Sequence, residues 1–371
     1  MPPQGGRPRS TRNRSGAPPI IEGTRRASGF TEIPRLLRSL GADPDAVLRC
    51  AGLPSGALDN PDNAIPVARI GALYGCAALA TGCEHFGLLT GAAWRLDHVG
   101  LVGQLVRHSE TLGDALQSVV LHHWLNGDGA AAFLFRKGAF AEFGYTIYAT
   151  GVSHSDHIYD VAIAAQFTMM RELCGAAWTP SQVFLPRSRP ADPSPYQRLF
   201  GSPVTFDSDH AAMRFPAERL AEKLPYPDLG RLAALDRAAS ALGPEPILPR
   251  SHRMVRVLLA RGGTTADCLA ATLSLNRRTL DRRLKAHDVS FQAILDGVRF
   301  EVARQLLEIS NVDISEIAST LGYAEPSPFT RAFKRWSGHT PSEWRRRQMQ
   351  ARRAEARSAG GPTARSATEP L

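Results

Sequence analysis

Two stretches in the last third of the chain share one helical pattern, and this repeat constrains the fold more than any other feature. In residues 266–284, apolar residues recur at helical spacing on both sides of a tight turn at Leu275. Leu280 and Leu284 lie four residues apart and therefore share the inner face of the second helix. Asn276 stands where its side chain can accept the free N–H groups of that helix. The pattern predicts a helix-turn-helix motif.

The same arrangement returns about fifty residues later. Residues 314–323 predict a first helix that ends at Gly322, and residues 327–336 predict a second. Phe329, Phe333 and Trp336 recur at helical spacing and point inward. The chain therefore predicts a second helix-turn-helix motif.

A long apolar helix is predicted between the motifs, from Phe291 to Leu307. At 1.5 Å per residue it forms a rod of about 27 Å. Such a rod could hold two reading helices roughly one DNA turn (~34 Å) apart. We expect an all-α domain in which a linker helix joins two helix-turn-helix motifs.

The outward face of the first motif carries arginines. Arg278 and Arg282 are four residues apart, so their side chains share one helical face. Guanidinium groups placed in the major groove can reach O6 and N7 of guanine. This spacing favours base contacts by the second helix.

Charge is distributed unevenly along the chain. Of the net charge of +9, residues 29–249 contribute −5 and residues 250–347 contribute +7. One acidic part and one basic part are expected when a single domain touches a polyanion. A basic face that is merely solvated, or a basic bundle that binds protein, is the alternative explanation.

The segment from Asp313 to Pro341, DISEIASTLGYAEPSPFTRAFKRWSGHTP, resembles the signature of the AraC/XylS family of transcription regulators, and the resemblance covers 252–347. It implies two recognition helices in successive segments of the major groove. It also implies base contacts from Arg278, Arg282, Ser327 and Arg331. Phosphate contacts are implied for Arg277 and Lys334.

Two prolines depart from the family pattern. Pro326 and Pro328 flank Ser327, and a proline disfavours helical angles in the residue before it. A proline in a first helical turn is tolerated, because its missing N–H would be unpaired there. We expect the second recognition helix to begin late, which would displace Ser327.

The first two thirds of the chain mix helical and strand patterns without a βαβ repeat, which favours an α+β domain. Predicted strands at 131–135 and 141–148 flank a turn, and a helix is predicted at 155–174. Residues 34–52 and 184–224 more weakly resemble the arabinose-binding-type, non-cupin N-terminal domain of one branch of the same family. That resemblance implies a small-molecule effector and a dimerisation role.

Aromatic residues and histidines near the predicted hairpin could line an effector pocket. The candidates are His122, His123, Trp124, Tyr145 and Tyr148. Ordinary core aromatics and surface histidines are the alternative. His154, His157 and Asp160 could offer metal ligands, but no further ligand at metal-site spacing follows, so no metal is expected.

The predicted organisation has five parts. They are a disordered basic arm (1–28), an effector-binding and dimerisation domain (29–235), a linker (236–250), the DNA-binding domain (251–347) and a disordered tail (348–371). The five cysteines show no framework spacing, so we expect them to be small, buried and reduced, in a cytoplasmic protein. No apolar run is long enough for a membrane span.

The expected function is DNA-binding regulation controlled by an effector, with no cofactor and no catalysis. The expected partners are double-stranded DNA, a small-molecule effector, a second copy of the chain and, if the protein activates, RNA polymerase. The alternative is a DNA-modifying or repair protein with the same DNA-binding domain. That function needs a reactive cysteine in a Pro-Cys-His-Arg type setting, which none of the five cysteines has.

Overall fold

The computed structural model describes residues 23–149, 151–208, 210–243, 247–260, 264–273, 275–309 and 312–359. The first domain combines helices with two β-sheets. Its helices are α1 (Ile33–Ser39), α2 (Pro44–Cys50), α3 (Val67–Thr81), α4 (Phe86–Ala92), α5 (Leu101–Arg107), α6 (Leu112–His122), α7 (Ser155–Cys174), α8 (Ser194–Phe200) and α9 (Leu229–Ala241). Its strands are β1 (Thr24–Arg26), β2 (Ala64–Pro66), β3 (Ala130–Lys137), β4 (Phe140–Ile147), β5 (Gln182–Phe184), β6 (Val204–Thr205) and β7 (Ala211–Pro216).

The larger sheet has the strand order β3-β4-β7-β5-β6. Its pairs are antiparallel except for β5 with β6. The β3–β4 hairpin runs in register from Ala130 opposite Ile147 to Lys137 opposite Phe140. The predicted α+β class is confirmed, because the larger sheet is mainly antiparallel and only β5 and β6, connected through α8, run parallel.

Helix α7 is the centre of this domain, since it packs against α4 on one side and the sheet on the other. Two glycines allow the close approach of α4. A Cβ atom added at Gly87 or Gly91 would lie 2.4 or 2.5 Å from the backbone oxygen of His157 or Val161. Because that distance is shorter than real Cβ contacts, larger residues would push α4 away from α7.

The second domain is all-helical among the described residues. Its helices are α10 (Ile247–Ala260), α11 (Ala266–Thr272), α12 (Arg277–Lys285), α13 (Phe291–Ile309), α14 (Ile314–Thr320), α15 (Pro326–Ser337) and α16 (Pro341–Ala359). The pairs α11–α12 and α14–α15 are the two predicted motifs, and α13 joins them. Its apolar side chains form a core that is separate from the core of the first domain.

Polar caps fix the helix starts in the first motif. The Thr265 side chain accepts from the Cys268 N–H, and the Asn276 side chain accepts from the Thr279 N–H at 2.8 Å. These bonds satisfy N–H groups that have no partner inside a helix. The cap predicted at Asn276 is confirmed.

Four expectations about the chain's segments need correction. Disorder is wrong for residues 23–28, because β1 pairs with β2 and a 3₁₀ turn covers Ala27–Phe30; residues 1–22 lie outside the described part. Disorder is also wrong for 348–359, which continue α16. Helices occupy both ends of the predicted linker, up to Ala241 and from Ile247. Finally, α15 begins at Pro326, so Pro328 does not delay it.

The expectation of buried, reduced cysteines is wrong for three of the five. Cys50 and Cys76 form a disulfide, with Cα atoms 6.2 Å apart. They are 26 residues apart in the chain, and only the packing of α2 against α3 brings them together. Cys268 is exposed, whereas Cys83 and Cys174 are half-buried free thiols.

None of the described helices is both long enough and apolar enough to cross a membrane.

Candidate DNA-binding surface and ligand cavity

In the first motif, the basic helix α12 is held in place by its buried apolar face. Leu280 and Leu284 of α12 are buried against α11, and the Leu275 N–H in the turn donates to the Ala270 carbonyl at 2.8 Å. This packing holds the opposite face of α12 toward solvent. Arg278 and Arg282 lie there, exposed, and neither forms an ion pair with a described residue.

Arg277 has a different setting, although it is also exposed. Its guanidinium forms ion pairs with Asp281 at 2.9 Å and with Asp267 at 3.7 Å. These carboxylates partly neutralise the charge that a phosphate contact would use. The charges of Arg278 and Arg282 are therefore less neutralised than that of Arg277.

In the second motif, the buried face of α15 is aromatic. Phe329, Phe333 and Trp336 of α15 are buried, and Phe300 of α13 lies 5.5 Å from the Phe333 ring, centroid to centroid. Such aromatic pairs add to the stability gained from their burial. On the outward face of α15 the structure exposes Ser327, Arg331 and Lys334, the residues implied by the family resemblance.

Side chains of the linker helix α13 hold the second motif in place. The Arg299 Nε donates to the Leu321 carbonyl at 3.0 Å, and its guanidinium lies 4.7 Å from the centre of the Tyr323 ring. Both contacts hold the turn that ends α14. With nineteen residues, α13 is about 28 Å long.

The first domain contains a partly open cavity of about 140 Å³ between the sheet, α5, α6 and α7. Aliphatic side chains form most of its wall, including Ile70, Leu96, Val102, Val106, Val119, Ile158 and Met169. A mainly apolar cavity interrupted by a few polar groups has the character of a small-molecule site.

A few polar side chains interrupt the apolar wall. Arg25 of β1 donates to the Gly127 carbonyl at 3.2 Å and lies against His123, with both ring nitrogens 3.2–3.3 Å from its terminal nitrogens. Burial, aided by the Arg25 charge, holds the pKa of His123 well below its usual range, so this imidazole is neutral. The other polar side chains of the wall are Arg26, Ser28, Asn126, Tyr145 and Gln166.

The structure separates the five aromatic and histidine candidates for effector binding. His123 and Tyr145 line the cavity, with their rings 5.4 Å apart. His122 instead lies next to the Ser118 carbonyl at 3.1 Å, and Trp124 is half-buried away from the cavity wall. Tyr148 donates its hydroxyl to Asp128.

Tyr148 also marks the contact between the two domains. Its ring stacks on His252 of α10, with centroids 6.3 Å apart and planes 23° apart. Nearby, Arg256 of α10 donates to the Ile147 carbonyl at 2.8 Å, at the end of β4. The DNA-binding domain is thus anchored two or three residues from the cavity-lining Tyr145.

The same region contains buried ionisable groups. Burial raises the pKa of Glu301 on α13 to about 8, although the Arg256 and Arg304 charges act in the opposite direction. Neither Glu301 carboxylate oxygen accepts a hydrogen bond from the described residues. Burial also lowers the pKa of His252 to about 4.

The residues considered as metal ligands do not form such a site. Asp160 accepts hydrogen bonds from Arg187 and Tyr196, which occupy one of its oxygens. His157 is buried at the start of α7, with its ring 6.3 Å from that of Tyr74. In the part of the chain that the structure describes, no group of three or more potential ligands could hold a metal ion.

Sequence reasoning missed Arg25, Asn126, Gln166 and Arg256. Arg25 follows a Gly- and Pro-rich stretch that resembles a disordered arm, and nothing local indicates that it forms a strand. Gln166 lies within an apolar helical pattern, where a lone polar residue facing a cavity was a signal that could have been read.

Taken together, the fold and the exposed basic helices define a DNA-binding transcription regulator with paired helix-turn-helix motifs. Comparison with known families agrees with this class. Residues 41–224 match the N-terminal arabinose-binding domain of AraC transcription regulators, and residues 269–347 match a helix-turn-helix domain. The chain belongs to the AraC family.

Two curated relatives, each matched over more than nine tenths of its own length, support the same assignment. The chain is 27% identical over 331 residues to the HTH-type transcriptional regulator VirS of Mycobacterium tuberculosis, covering 85% of this chain and 94% of VirS. It is 25% identical over 317 residues to the ornithine utilization regulator of Pseudomonas aeruginosa, covering 84% and 93%. The crystal structure of the transcriptional regulator CdpR from Pseudomonas aeruginosa aligns with 84% of this chain and 98% of CdpR, at 23% identity and a TM-score of 0.40.

Proposed function

We propose that this chain is a one-component transcription regulator without catalytic activity, in which an effector bound by residues 29–235 controls DNA reading by residues 251–347. Two recognition helices, α12 and α15, would enter successive segments of the major groove. The observation that carries this proposal is that α12 and α15 each bury one apolar face. Their opposite faces expose Arg278 and Arg282 on α12 and Ser327 and Arg331 on α15.

Base and phosphate contacts follow from the side chains exposed. Arg278, Arg282 and Arg331 offer the planar donor groups that pair with guanine. Lys334 offers a point charge suited to a phosphate, as does Arg277, although Asp281 and Asp267 compete for its guanidinium. Ser327 lies in the first turn of α15, where it can reach a base edge.

Effector control is supported by the position of the cavity. Tyr145 of β4 lines it, while Ile147 and Tyr148 at the end of the same strand contact α10. A ligand that moves the end of β4 therefore changes the contact with the DNA-binding domain. Only a ligand with different affinities for the two arrangements can shift their balance.

The proposed assembly is a homodimer in the cytoplasm. Helix α9 leaves Leu229 57% exposed, and Leu242 just after it is 62% exposed. Burial of these side chains against a second copy would stabilise a symmetric pair. RNA polymerase is a further partner if the protein activates transcription.

Footprinting of the full chain on its own upstream DNA tests the proposed reading mode. We expect protection of two major-groove segments about one turn (~10 base pairs) apart within each half-site. Arg331→Ala should remove protection of one segment and leave the other. Protection of a single segment, unaffected by Arg331→Ala, would contradict reading by two helices.

A further inference from the structure

We propose that the cavity of the first domain binds a small organic monocarboxylate, with an apolar body in the aliphatic chamber and its carboxylate on Arg25. This inference names the chemical class of the effector, and so its regulatory meaning rests on the proposed function.

The chamber limits the size and polarity of the ligand body. Its volume of about 140 Å³ is close to that of an engineered apolar cavity, roughly 150 Å³, that binds benzene. Its wall is mainly aliphatic, so burial of carbon atoms drives binding. One aromatic ring or a short acyl chain matches this space.

Arg25 supplies the charge that selects a carboxylate. It forms no ion pair with a described residue, whereas the adjacent Arg26 pairs with Asp62. Its described partners, His123 and the Gly127 carbonyl, are both uncharged. A neutral imidazole has a single lone pair, so it accepts only one of the two Arg25 contacts. The guanidinium therefore keeps N–H donors for the two parallel bonds that a carboxylate accepts.

Other ligand classes fit the cavity less well. A cation would meet the uncompensated charge of Arg25, and the nearby Asp128 carboxylate already accepts from Tyr148 and from the Gly129 N–H. A sugar carries several hydroxyls, and each one buried without a partner costs free energy. Besides Arg25, the polar side chains of the mainly apolar wall are Arg26, Ser28, His123, Tyr145, Asn126 and Gln166. The buried amide oxygens of Asn126 and Gln166 accept no hydrogen bond from the described residues. These two oxygens suit a single hydroxyl on the ligand.

Calorimetry on the full chain with benzoate, hexanoate and octanoate tests the proposal, with each acid compared with its primary amide and with L-arabinose. Each amide has nearly the shape of its acid but lacks the charge. We expect at least one acid to bind about 10- to 100-fold more tightly than its amide, because hydrogen bonds to charged groups are the stronger ones. Equal affinity of acids and amides, tighter binding of arabinose, or failure of every acid to bind at millimolar concentration would overturn the proposal.

Variants separate the roles of charge and space. Arg25→Gln should abolish the preference for acids over amides, while the matched Arg35→Gln, at an exposed arginine paired with Glu32, should leave it intact. Ala132→Leu, at a buried cavity wall position, should weaken acids and amides alike. If Arg25→Gln does not fold, the acid-to-amide ratio of the unmodified protein still decides the question.

Failure of the proposed function gives a different result. If acids bind as expected but leave DNA affinity unchanged, the ligand class stands and effector control is wrong. If neutral apolar compounds bind as well as the acids and change DNA affinity, effector control stands and the carboxylate assignment is wrong.

Discussion

At the scale of single residues, arginines on the same helix differ in whether a carboxylate lies close enough to form an ion pair. Arg277, Arg278 and Arg282 are exposed on the same helix, yet only Arg277 is paired with carboxylates among the described residues. An arginine held by two aspartates must break those contacts before it binds DNA. The freer pair, Arg278 and Arg282, is thus better suited to reading bases.

We predict different effects from two substitutions on the reading helices. Arg282→Ala should relax base preference at one position and cost about 1–3 kcal/mol of specific binding. Lys334→Ala should weaken binding to all sequences and lower the salt slope by about one. Selection from randomised sites and titration at several salt concentrations measure both effects. The same base preference for Arg282→Ala as for the exposed control Arg283→Ala would contradict the assignment.

A second prediction concerns the buried carboxyl of Glu301. Its pKa is raised to about 8 in the folded chain, against 4.5 for an ordinary glutamate. Between these values the unfolded state has released the proton and the folded state retains it, so this group lowers stability as pH rises. Relative to wild type, Glu301→Gln should gain roughly 2–5 kcal/mol between pH 5 and pH 8.

Denaturant titrations at several pH values measure that gain. Glu316→Gln, at an exposed glutamate of the same domain, is the matched control and should track the wild type. A constant difference between Glu301→Gln and wild type across this pH range would show that Glu301 ionises normally.

At the scale of elements, the packing of helices brings together residues that are far apart in the sequence. The disulfide between Cys50 and Cys76 ties the end of α2 to the middle of α3. Helix α3 also carries Ile70, which lines the cavity. The crosslink therefore supports one wall of the proposed ligand site.

We predict that Cys50→Ser destabilises the chain by about 2–4 kcal/mol, the usual contribution of a disulfide that closes a loop of this size. Thermal unfolding measures the loss. Reductant should lower the Tm of the wild type to that of Cys50→Ser and leave the variant unchanged. Cys83→Ser, at a half-buried free thiol, is the control. A wild-type Tm that does not respond to reductant would contradict the prediction.

At the scale of the whole molecule, the two domains are joined by direct polar contacts as well as by the chain. Arg256 donates to the Ile147 carbonyl, and His252 stacks on Tyr148. Both contacts lie at the end of the strand that lines the cavity. They would provide a shorter route for the proposed effector control than the predicted linker.

We predict that Arg256→Ala loosens the arrangement of the domains. It removes the 2.8 Å hydrogen bond from Arg256 to the Ile147 carbonyl, which is one of the polar contacts between the two domains. Small-angle scattering of the full chain should show a larger radius of gyration. Arg231→Ala, at an exposed arginine that contacts Gln104 within the first domain, should not change it. An unchanged scattering curve for Arg256→Ala would show that this contact does not hold the domains together.

The DNA-binding domain could be predicted in detail because its signals are local. Helical spacing, the Asn276 cap and the turn at Gly322 each involve residues a few positions apart, and they place Arg278, Arg282 and Arg331 on exposed faces without further information. The α+β class of the first domain also follows from local patterns.

The cavity proposed to bind a ligand, the disulfide and the domain contact depended on tertiary structure. Arg25 meets His123 across 98 residues, Cys50 meets Cys76 across 26, and Arg256 meets Ile147 across 109. Helical and strand periodicity in the sequence cannot predict such pairs, because they form only when separate elements bury their apolar faces against each other. The sequence by itself therefore determined the helices that expose the basic side chains, and packing decided which side chains surround the cavity and where the two domains touch.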